Sequence, residues 1–316
     1  MKTNNVSMPL EVACYPPLEG YFNIEYWCIG ILGILGNSFV MISVVAFKWM
    51  KTRTNFFIFN LAFLDLMTSF ALLHYNCMPM FKLDFRRGYV LRELFCRVYC
   101  SSSIQYYCFY ASSFTLLAIT FERYVCIVTP MKSKEVLSPV KIILIQCTAC
   151  ALAFPACSYA MLTIFPDHNN FQCDSEYMSY AFTIYTSLWT LLGMTILPGT
   201  IMTVAFVRIR SKLLANRNSP YYLKNIQLCR MLFTVIAFYI LCTLPDNTLY
   251  FFHNLNLTFL KIRFEAFYYR VIMAVSFSSA CINPILYAYQ SKHFRKSFLT
   301  IILLGRNLKP KSNQKS

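Results

Sequence analysis

Charged residues are what this sequence lacks most. Only 13% of its 316 residues are charged and 57% are hydrophobic, whereas soluble domains carry about 25% charged and about 45–50% apolar residues. Acidic residues are the scarcest, because 13 Asp and Glu stand against 29 Lys and Arg. The shortage of charge excludes an ordinary soluble domain and indicates that lipid is the main solvent of the chain.

Residue patterns that carry catalysis or bind metal are also lacking. The four histidines are scattered, with neither an HExxH motif nor a nucleophile elbow. The one Cys-x-x-Cys spacing, Cys147 to Cys150, lies inside an apolar run, where buried thiols act as small hydrophobic groups. Residues 1–23 hold no apolar core followed by small residues, so we expect no cleavable signal peptide. The sequence predicts neither an enzyme nor a metal centre.

Long apolar runs are what the sequence does have. Each is long enough to cross about 30 Å of hydrocarbon as a helix, and none shows the short alternating segments of a membrane barrel. Backbone amides inside a bilayer have to be satisfied within the protein, so the pattern predicts an all-α membrane protein, a seven-transmembrane helix bundle. The predicted runs are Ile24–Phe47, Asn55–Phe81, Leu94–Val128, Val140–Ile164, Tyr177–Val207, Leu228–Phe252 and Phe264–Tyr289.

Basic residues are concentrated at and after the ends of the first, third, fifth and seventh runs. Those segments hold twenty Lys and Arg against two acidic residues, whereas the opposite face holds nine of each sign. The positive-inside rule then places the N-terminus outside and the C-terminus in the cytoplasm. This bias explains the net charge of +16, and we favour it over nucleic-acid binding. The glycosylation sequons at Asn5 and Asn256 both fall on the predicted outer face.

Polar residues inside the apolar runs narrow the fold to a family. Such residues are costly in a bilayer, so each is a functional candidate. In chain order they are Gly36-Asn37 in the first run, Asn60 to Asp65 in the second, Glu122-Arg123-Tyr124 closing the third with Pro130 after it, Pro198 in the fifth, Cys242-Thr243-Leu244-Pro245 in the sixth and Asn283-Pro284-Ile285-Leu286-Tyr287 in the seventh. Over nearly the whole chain, this set resembles the rhodopsin-like G-protein-coupled receptors.

The resemblance implies a plasma-membrane receptor that passes an extracellular signal to a heterotrimeric G protein. It divides the chain into an extracellular N-terminus (1–23), a seven-transmembrane domain (24–290), a short amphipathic eighth helix on the membrane surface (291–304) and a basic cytoplasmic tail (305–316). It also implies a switch in which Arg123 pairs with Glu122 at rest and turns to the G protein on activation. The other implied switch residues are Tyr124, Pro130, Pro245, Asn283, Pro284 and Tyr287.

Each implied role has a plainer alternative. Arg123 could be an interfacial arginine whose guanidinium reaches water, and Tyr287 could belong to an aromatic belt at the headgroups. Asp65 would hold water or Na⁺ with Ser112, Ser279 and Asn283, or it would be a protonated acid in a hydrogen-bonded cluster.

The resemblance also implies a disulfide from Cys173 to the start of the third run. Cys96 and Cys100 are both candidates, and the sequence around Cys96 favours it; Cys14 could pair with the cysteine left over.

Departures from the family pattern bear on signalling. Thr243 stands where the sixth-run tryptophan is usual, Tyr239 where a phenylalanine is usual, and Phe206 where a tyrosine is usual. No acid lies between Arg208 and Pro245 to hold the arginine of the third run. We expect raised basal signalling, and the competing hypothesis is a decoy receptor that does not signal.

The class of ligand is narrowed by two residues that are absent from the family's ligand-binding positions in this chain. Gln105 replaces the aspartate of amine receptors and Phe277 replaces the retinal lysine of opsins, so a peptide is favoured over a lipid or small metabolite. Asp246 would bind a basic group of the peptide or pair internally with Arg270. The predicted ligand-binding residues are Gln105, Tyr106, Phe109, Trp189, Asp246, Tyr250, Tyr269 and Arg270.

Overall fold

Seven helices long and apolar enough to cross a membrane are present among the described residues, which confirms the predicted bundle. A computed structural model describes residues 24–77, 89–166, 173–175, 178–219, 222–255 and 267–307. The helices are α1 (Ile24–Ala46), α2 (Arg53–Cys77), α3 (Tyr89–Leu94), α4 (Ser103–Val128), α5 (Ser133–Val136), α6 (Pro139–Thr163), α7 (Tyr180–Leu188), α8 (Leu197–Ala215), α9 (Tyr222–Asn254), α10 (Phe267–Gln290) and α11 (Lys292–Asn307), and the strands are β1 (Ile164–Pro166) and β2 (Cys173–Ser175).

The spans map simply onto these helices. The first and second spans are α1 and α2, the third is α4 with α3 leading into it, and the fourth is α6. The fifth joins α7 to α8, and the sixth and seventh are α9 and α10. The third span is central, because 61% of its most apolar window is buried against 28% for the first and the fourth. The second, fourth and fifth spans pack most extensively against it.

The third run is not the single helix that its continuous apolar pattern predicts. A π-helix spans Phe95–Cys100, and the chain turns at Ser102, whose φ of 57° is left-handed, before α4 begins at Ser103. The hydroxyls of Ser101 and Ser103 both donate to the carbonyl of Arg97. Serine hydroxyls compete in this way with the helical hydrogen-bond ladder, which explains why the helix is interrupted here.

The fifth span contains a second π-helix, Trp189–Ile196, just before Pro198. A proline has no N–H for the carbonyl four residues before it, and its ring crowds that carbonyl. In this span that carbonyl belongs to Met194, and the Tyr239 hydroxyl of the sixth span donates to it at 2.8 Å. The tyrosine that departs from the family pattern therefore ties the sixth span to the fifth.

The first span approaches the seventh closely at another proline. A Cβ added to Gly36 would lie 2.9 Å from the ring of Pro284, so only glycine allows this contact. The close approach brings Asn37 within reach of the carbonyl four residues before that proline, and its amide donates to Ala280 O at 2.9 Å. Asn37 is completely buried, so the bond ties the first span to the seventh in the interior of the bundle.

The helix α11 lies beside the first and seventh spans, as the predicted eighth helix should. Its buried face carries Phe294 and Ser297, and the Phe294 ring stacks on Tyr287 with centroids 5.3 Å apart. Leu299, Ile302 and Leu303 point outward and are about half exposed. A helix with one packed face and exposed apolar residues beside cations is typical of the membrane interface.

Replacing Tyr239 with Phe tests the hydrogen bond from the sixth span to Met194 O, the carbonyl of the fifth span that Pro198 leaves without a donor. Only the hydroxyl is lost, so Met194 O loses its donor and we expect a destabilisation of about 1 kcal/mol. The measurement is the thermal unfolding midpoint of the purified protein in detergent. Tyr185→Phe is the matched control, because Tyr185 is 58% exposed. Equal midpoints for the two variants would show that the Tyr239 hydroxyl contributes nothing.

Candidate functional site

A disulfide fixes one end of the bundle, called here the disulfide end. Cys96 and Cys173 are bonded, which confirms the favoured pairing. Cys100 is itself disulfide-bonded, and so it is not the partner of Cys173. Cys173 lies in β2, which pairs antiparallel with β1 so that Pro166 faces Cys173. The covalent bond therefore holds the segment after the fourth span against the start of the third.

Aromatic side chains fill the space beneath the disulfide end. Phe109 and Phe277 meet edge to face with centroids 5.2 Å apart, and Tyr106 lies 6.0 Å from Phe277. Gln105 and Phe109 are buried, whereas Tyr106 and Trp189 are partly exposed. The structure thus brings predicted ligand-binding residues from the third span together with Phe277, the residue at the retinal-lysine position. Their binding role stays a prediction.

Asp246 is the acidic group of this region. It is only 8% exposed and lies beside Ser276 of the seventh span. No cation pairs with it among the side chains that the structure describes. Tyr269 and Arg270 lie outside those side chains, so the alternative pairing with Arg270 stays a prediction. A buried carboxylate without a cation is costly, which makes Asp246 a candidate contact for a cationic ligand group.

A buried polar network beside this region was missed by the sequence analysis. The Tyr110 hydroxyl donates to Asn247 Oδ1 at 2.9 Å, and Asn247 Nδ2 donates to Thr195 Oγ1 at 2.7 Å. The three residues belong to the third, sixth and fifth spans. An asparagine two positions after Pro245, inside an apolar run, was the available signal. Its partners could not be read from the sequence because they lie on other spans.

The middle of the bundle holds the predicted cation-binding group. Asp65 is 1% exposed and accepts a hydrogen bond from Asn283 Nδ2 at 2.8 Å. Ser112 lies close to the carboxylate, although its hydroxyl and that of Ser279 donate to carbonyls of their own helices. A buried carboxylate beside a hydroxyl oxygen fits the oxygen ligands that hard cations prefer. Sodium at Asp65 stays a prediction.

Glu122 and Arg123 form an ion pair at the opposite end of the bundle, called here the arginine end. Arg123 Nε lies 2.7 Å from Glu122 Oε2. The Thr54 hydroxyl of the second span also donates to this oxygen, at 3.1 Å. Thr54, which was not named from the sequence, therefore holds the buried carboxylate that in turn pairs with Arg123.

The seventh-span switch residues are packed rather than solvated. Tyr287 is 1% exposed and stacks on Phe294 of α11.

Pro130 begins a short 3₁₀ turn after the third span, and Tyr124 packs against the fifth. Phe206 stacks on Phe233 of the sixth span with centroids 4.4 Å apart. Phe206, which lacks the hydroxyl of the usual tyrosine, therefore joins the fifth and sixth spans through ring contact.

A cavity of about 470 Å³ opens at the arginine end between the third, fifth and sixth spans. Polar and basic side chains line it, including Lys212, Tyr222 and Asn225. A second, apolar cleft of only about 10 Å³ is lined by Arg123 and Phe206. Ile127 lines both spaces, so the predicted G-protein contact residue lies near the larger cavity but does not line it.

Uncharged side chains join the sixth and seventh spans at this end. Gln290 Nε2 donates to Thr234 Oγ1 at 3.1 Å, and Gln227 Nε2 donates to Gln290 O at 2.7 Å. No acid lies between Arg208 and Pro245 to hold Arg123. The structure shows a different restraint on the sixth span, which we call the glutamine clasp (Gln227, Thr234, Gln290).

The chain matches known receptors over most of its length. Residues 36–287 match the family model described as 7 transmembrane receptor (rhodopsin family). The chain is 29% identical over 291 residues to neuropeptide Y receptor type 2 of Mus musculus, with 88% of this chain and 74% of that protein covered. The Cavia porcellus receptor of that name is 30% identical with the same coverage, and that of Gallus gallus is 29% identical, with 87% and 73% covered.

A double-mutant cycle tests the buried network. Tyr110→Phe leaves Asn247 Oδ1 without its donor, so it should destabilise alone but cost little more in the background of Asn247→Leu. We expect a coupling free energy of about 0.5–3 kcal/mol, the range for contacting pairs. Thermal unfolding in detergent measures it.

The control cycle pairs Tyr110→Phe with Thr200→Val. Thr200 is exposed and donates only within its own helix, so these two changes should be additive. Additivity in both cycles would mean that Tyr110 and Asn247 do not interact.

Proposed function

We propose, because this chain belongs to the rhodopsin family of seven-transmembrane receptors, that it is activated by an extracellular peptide and in turn activates heterotrimeric G proteins. The main support for a peptide ligand is Asp246. It is a buried acid beneath the disulfide end, and it has no cationic partner among the described side chains. The relatives' names, neuropeptide Y receptor type 2, support a peptide rather than a lipid or small metabolite.

The proposed ligand contact is between Asp246 and a basic side chain of the peptide. An Arg or Lys would supply the charge that the buried carboxylate lacks, and a charge-assisted hydrogen bond is stronger than a neutral one. The aromatic cluster around Phe109 and Phe277 would bury the apolar part of the ligand. A lipid or small metabolite would use the same aromatic cluster but would not need Asp246.

The proposed transducer site is the cavity at the arginine end. Arg123 is held by Glu122 in this conformation, and it would have to leave that partner to contact a G protein. Opening the cavity further requires the sixth span to move away from the seventh, against the glutamine clasp. A decoy receptor is the alternative, since Thr243 and Phe206 depart from the family's switch residues.

The first test is of ligand class. A surface-tagged chain is expressed in cells, and G-protein dissociation is recorded for several Gα subtypes with pooled peptides that carry or lack basic residues. We expect a response to basic peptides that Arg123→Ala abolishes. Asp246→Asn should weaken their potency by roughly thirtyfold or more, because a lost partner of a buried charge pair costs about 2–5 kcal/mol.

Glu25→Gln is the matched control, because it removes one negative charge from the start of the first span. Potency should stay near the wild-type value. Basic peptides that act equally on wild type and Asp246→Asn would contradict the proposed contact. A well-expressed chain that responds to lipids alone, or to nothing, would favour the alternative ligand classes or the decoy.

The second test is of the glutamine clasp. Gln227→Leu with Thr234→Val removes both side-chain bonds to Gln290. Basal G-protein dissociation should rise roughly fivefold or more, because each lost bond of about 1 kcal/mol shifts a two-state equilibrium by that factor. Thr203→Val is the control, since Thr203 donates only to Gly199 of its own span. A rise that persists in Arg123→Ala would not come from the proposed switch.

A further inference from the structure

Three cysteine sulfurs meet at the disulfide end of the third span. Cys96 and Cys173 are bonded to each other, and the sulfur of Cys100 lies 3.4 Å from the sulfur of Cys173. Cys100 belongs to another disulfide, so neither of these two sulfurs carries a hydrogen and their contact is not a hydrogen bond. Two disulfides therefore touch each other through one sulfur atom of each.

The place of Cys100 follows from the π-helix Phe95–Cys100. Residues four apart lie on nearly the same side of a helix, so Cys96 and Cys100 both approach β2, the strand that carries Cys173. Each of the two is only 1% exposed, and bulk solvent therefore does not separate them from the strand. Cys173 has two cysteines of the third span as neighbours, although it is bonded to one.

A bond from Cys173 to Cys100 would need little movement. The two sulfurs of a disulfide are about 2.05 Å apart, so the present distance of 3.4 Å has to shorten by only about 1.4 Å. Rotation of a cysteine side chain about its Cα–Cβ bond displaces the sulfur by more than this. The strand β2 can therefore stay paired with β1 while its cysteine changes partner.

An exchange of partners needs a thiolate, because a thiolate is the group that attacks a disulfide sulfur. The cysteine bonded to Cys100 is outside the described side chains, and Cys14, the predicted candidate, lies outside the described residues. A small thiol that attacks the sulfur of that cysteine forms a mixed disulfide with it and releases Cys100 as a thiolate. The thiolate then lies 3.4 Å from Cys173, within the distance of about 3–3.5 Å from which bound groups react readily.

We propose that Cys100 takes Cys173 from Cys96 in a disulfide exchange that a small thiol outside the cell triggers. The Cys100 thiolate attacks the Cys173 sulfur, the bond from Cys173 to Cys96 breaks, and Cys96 leaves as a thiolate that takes up a proton. Each step replaces one disulfide with another, so no oxidant is needed. The disulfide end is the predicted outer face, where disulfides form and persist, and the trigger is therefore an extracellular thiol.

The exchange would move the anchor of β2 four residues along the third span. Cys100 lies five residues before Gln105, so the new anchor is nearer to the predicted ligand-binding residues. The released Cys96 thiolate can attack Cys173 in its turn, which makes the exchange reversible. A lone disulfide would lose its covalent tie on reduction, whereas this arrangement keeps β2 tied to the third span. Neither the proposed peptide nor a G protein is needed for it.

The experiment maps the disulfides of the purified full chain in detergent over a series of reduced glutathione concentrations. Acid stops the exchange, free thiols are alkylated, and the digested protein is analysed by mass spectrometry. Trypsin cuts after Arg97, between the two cysteines, so peptide 93–97 reports on Cys96 and peptide 98–123 on Cys100. As glutathione rises, we expect the peptide that contains Cys173 to change partner from 93–97 to 98–123.

Two variants give opposite expectations. In Cys96→Ser, Cys173 should be bonded to Cys100 without any added thiol. In Cys100→Ser, Cys173 should stay bonded to Cys96, and opening that bond should need roughly tenfold more glutathione or more than the exchange needs in wild type. The reason is that groups held in contact react faster than a free thiol does.

Cys108→Ser is the matched control, because Cys108 is a buried free cysteine of the same span and lies on the same tryptic peptide as Cys100. It should exchange at the wild-type glutathione concentration. If the peptide joined to Cys173 disappears in this variant, the bond was to Cys108 and the proposal is wrong.

The proposal would also be overturned if wild type released Cys96 and Cys173 together, with no bond from Cys173 to Cys100 at any glutathione concentration. A free Cys173 thiol in a folded Cys96→Ser protein would contradict it as well. Unfolding midpoints show which variants fold. If Cys96→Ser does not fold, the wild-type titration decides the matter, because it needs no substitution.

Discussion

Prolines inside membrane helices leave carbonyls without their usual donors, and the arrangement of the spans follows from how those carbonyls are satisfied. Little water reaches the hydrocarbon, and a side chain of a neighbouring helix is one group that can supply the donor. Asn37 supplies it to Ala280 O, four residues before Pro284, and Tyr239 supplies it to Met194 O, four residues before Pro198. The first span is thereby joined to the seventh, and the sixth to the fifth. Both bonds lie in the interior, where a displaced donor would find no replacement.

The same requirement explains why the replaced switch residues are compatible with an ordered bundle. Thr243, in place of a large ring, is completely buried and donates to the carbonyl of Tyr239 in its own helix. Polar contact between the third, fifth and sixth spans is supplied by the network of Tyr110, Asn247 and Thr195. Ring packing tolerates small shifts, but buried hydrogen bonds are directional and are either made or lost. We therefore expect these spans to move relative to one another in a more nearly two-state manner than spans that are coupled through stacked aromatic rings.

The sequence predicts the elements of this fold better than the contacts between them. The seven apolar runs could be predicted because composition along the chain determines them, and the resemblance to the family implied the surface helix and favoured the Cys96 disulfide. The break at Ser102 could not, since an apolar run does not reveal that serine hydroxyls compete for the carbonyl of Arg97. Thr54 and Asn247 were missed for another reason. The cost of a buried polar residue is visible in its own run, but its partner lies on a different span.

The two ends of the bundle differ in what resists movement. At the disulfide end a covalent bond fixes the third span to β2, whereas at the arginine end the sixth span is held to the seventh by the uncharged glutamine clasp. The ion pair of Glu122 and Arg123 lies within the third span and leaves the sixth free of it. A neutral restraint is insensitive to ionic strength, unlike an exposed ion pair. In the proposed receptor, the ligand would therefore shift an equilibrium to which these two hydrogen bonds contribute, and it could do so only by as much as it prefers the open state.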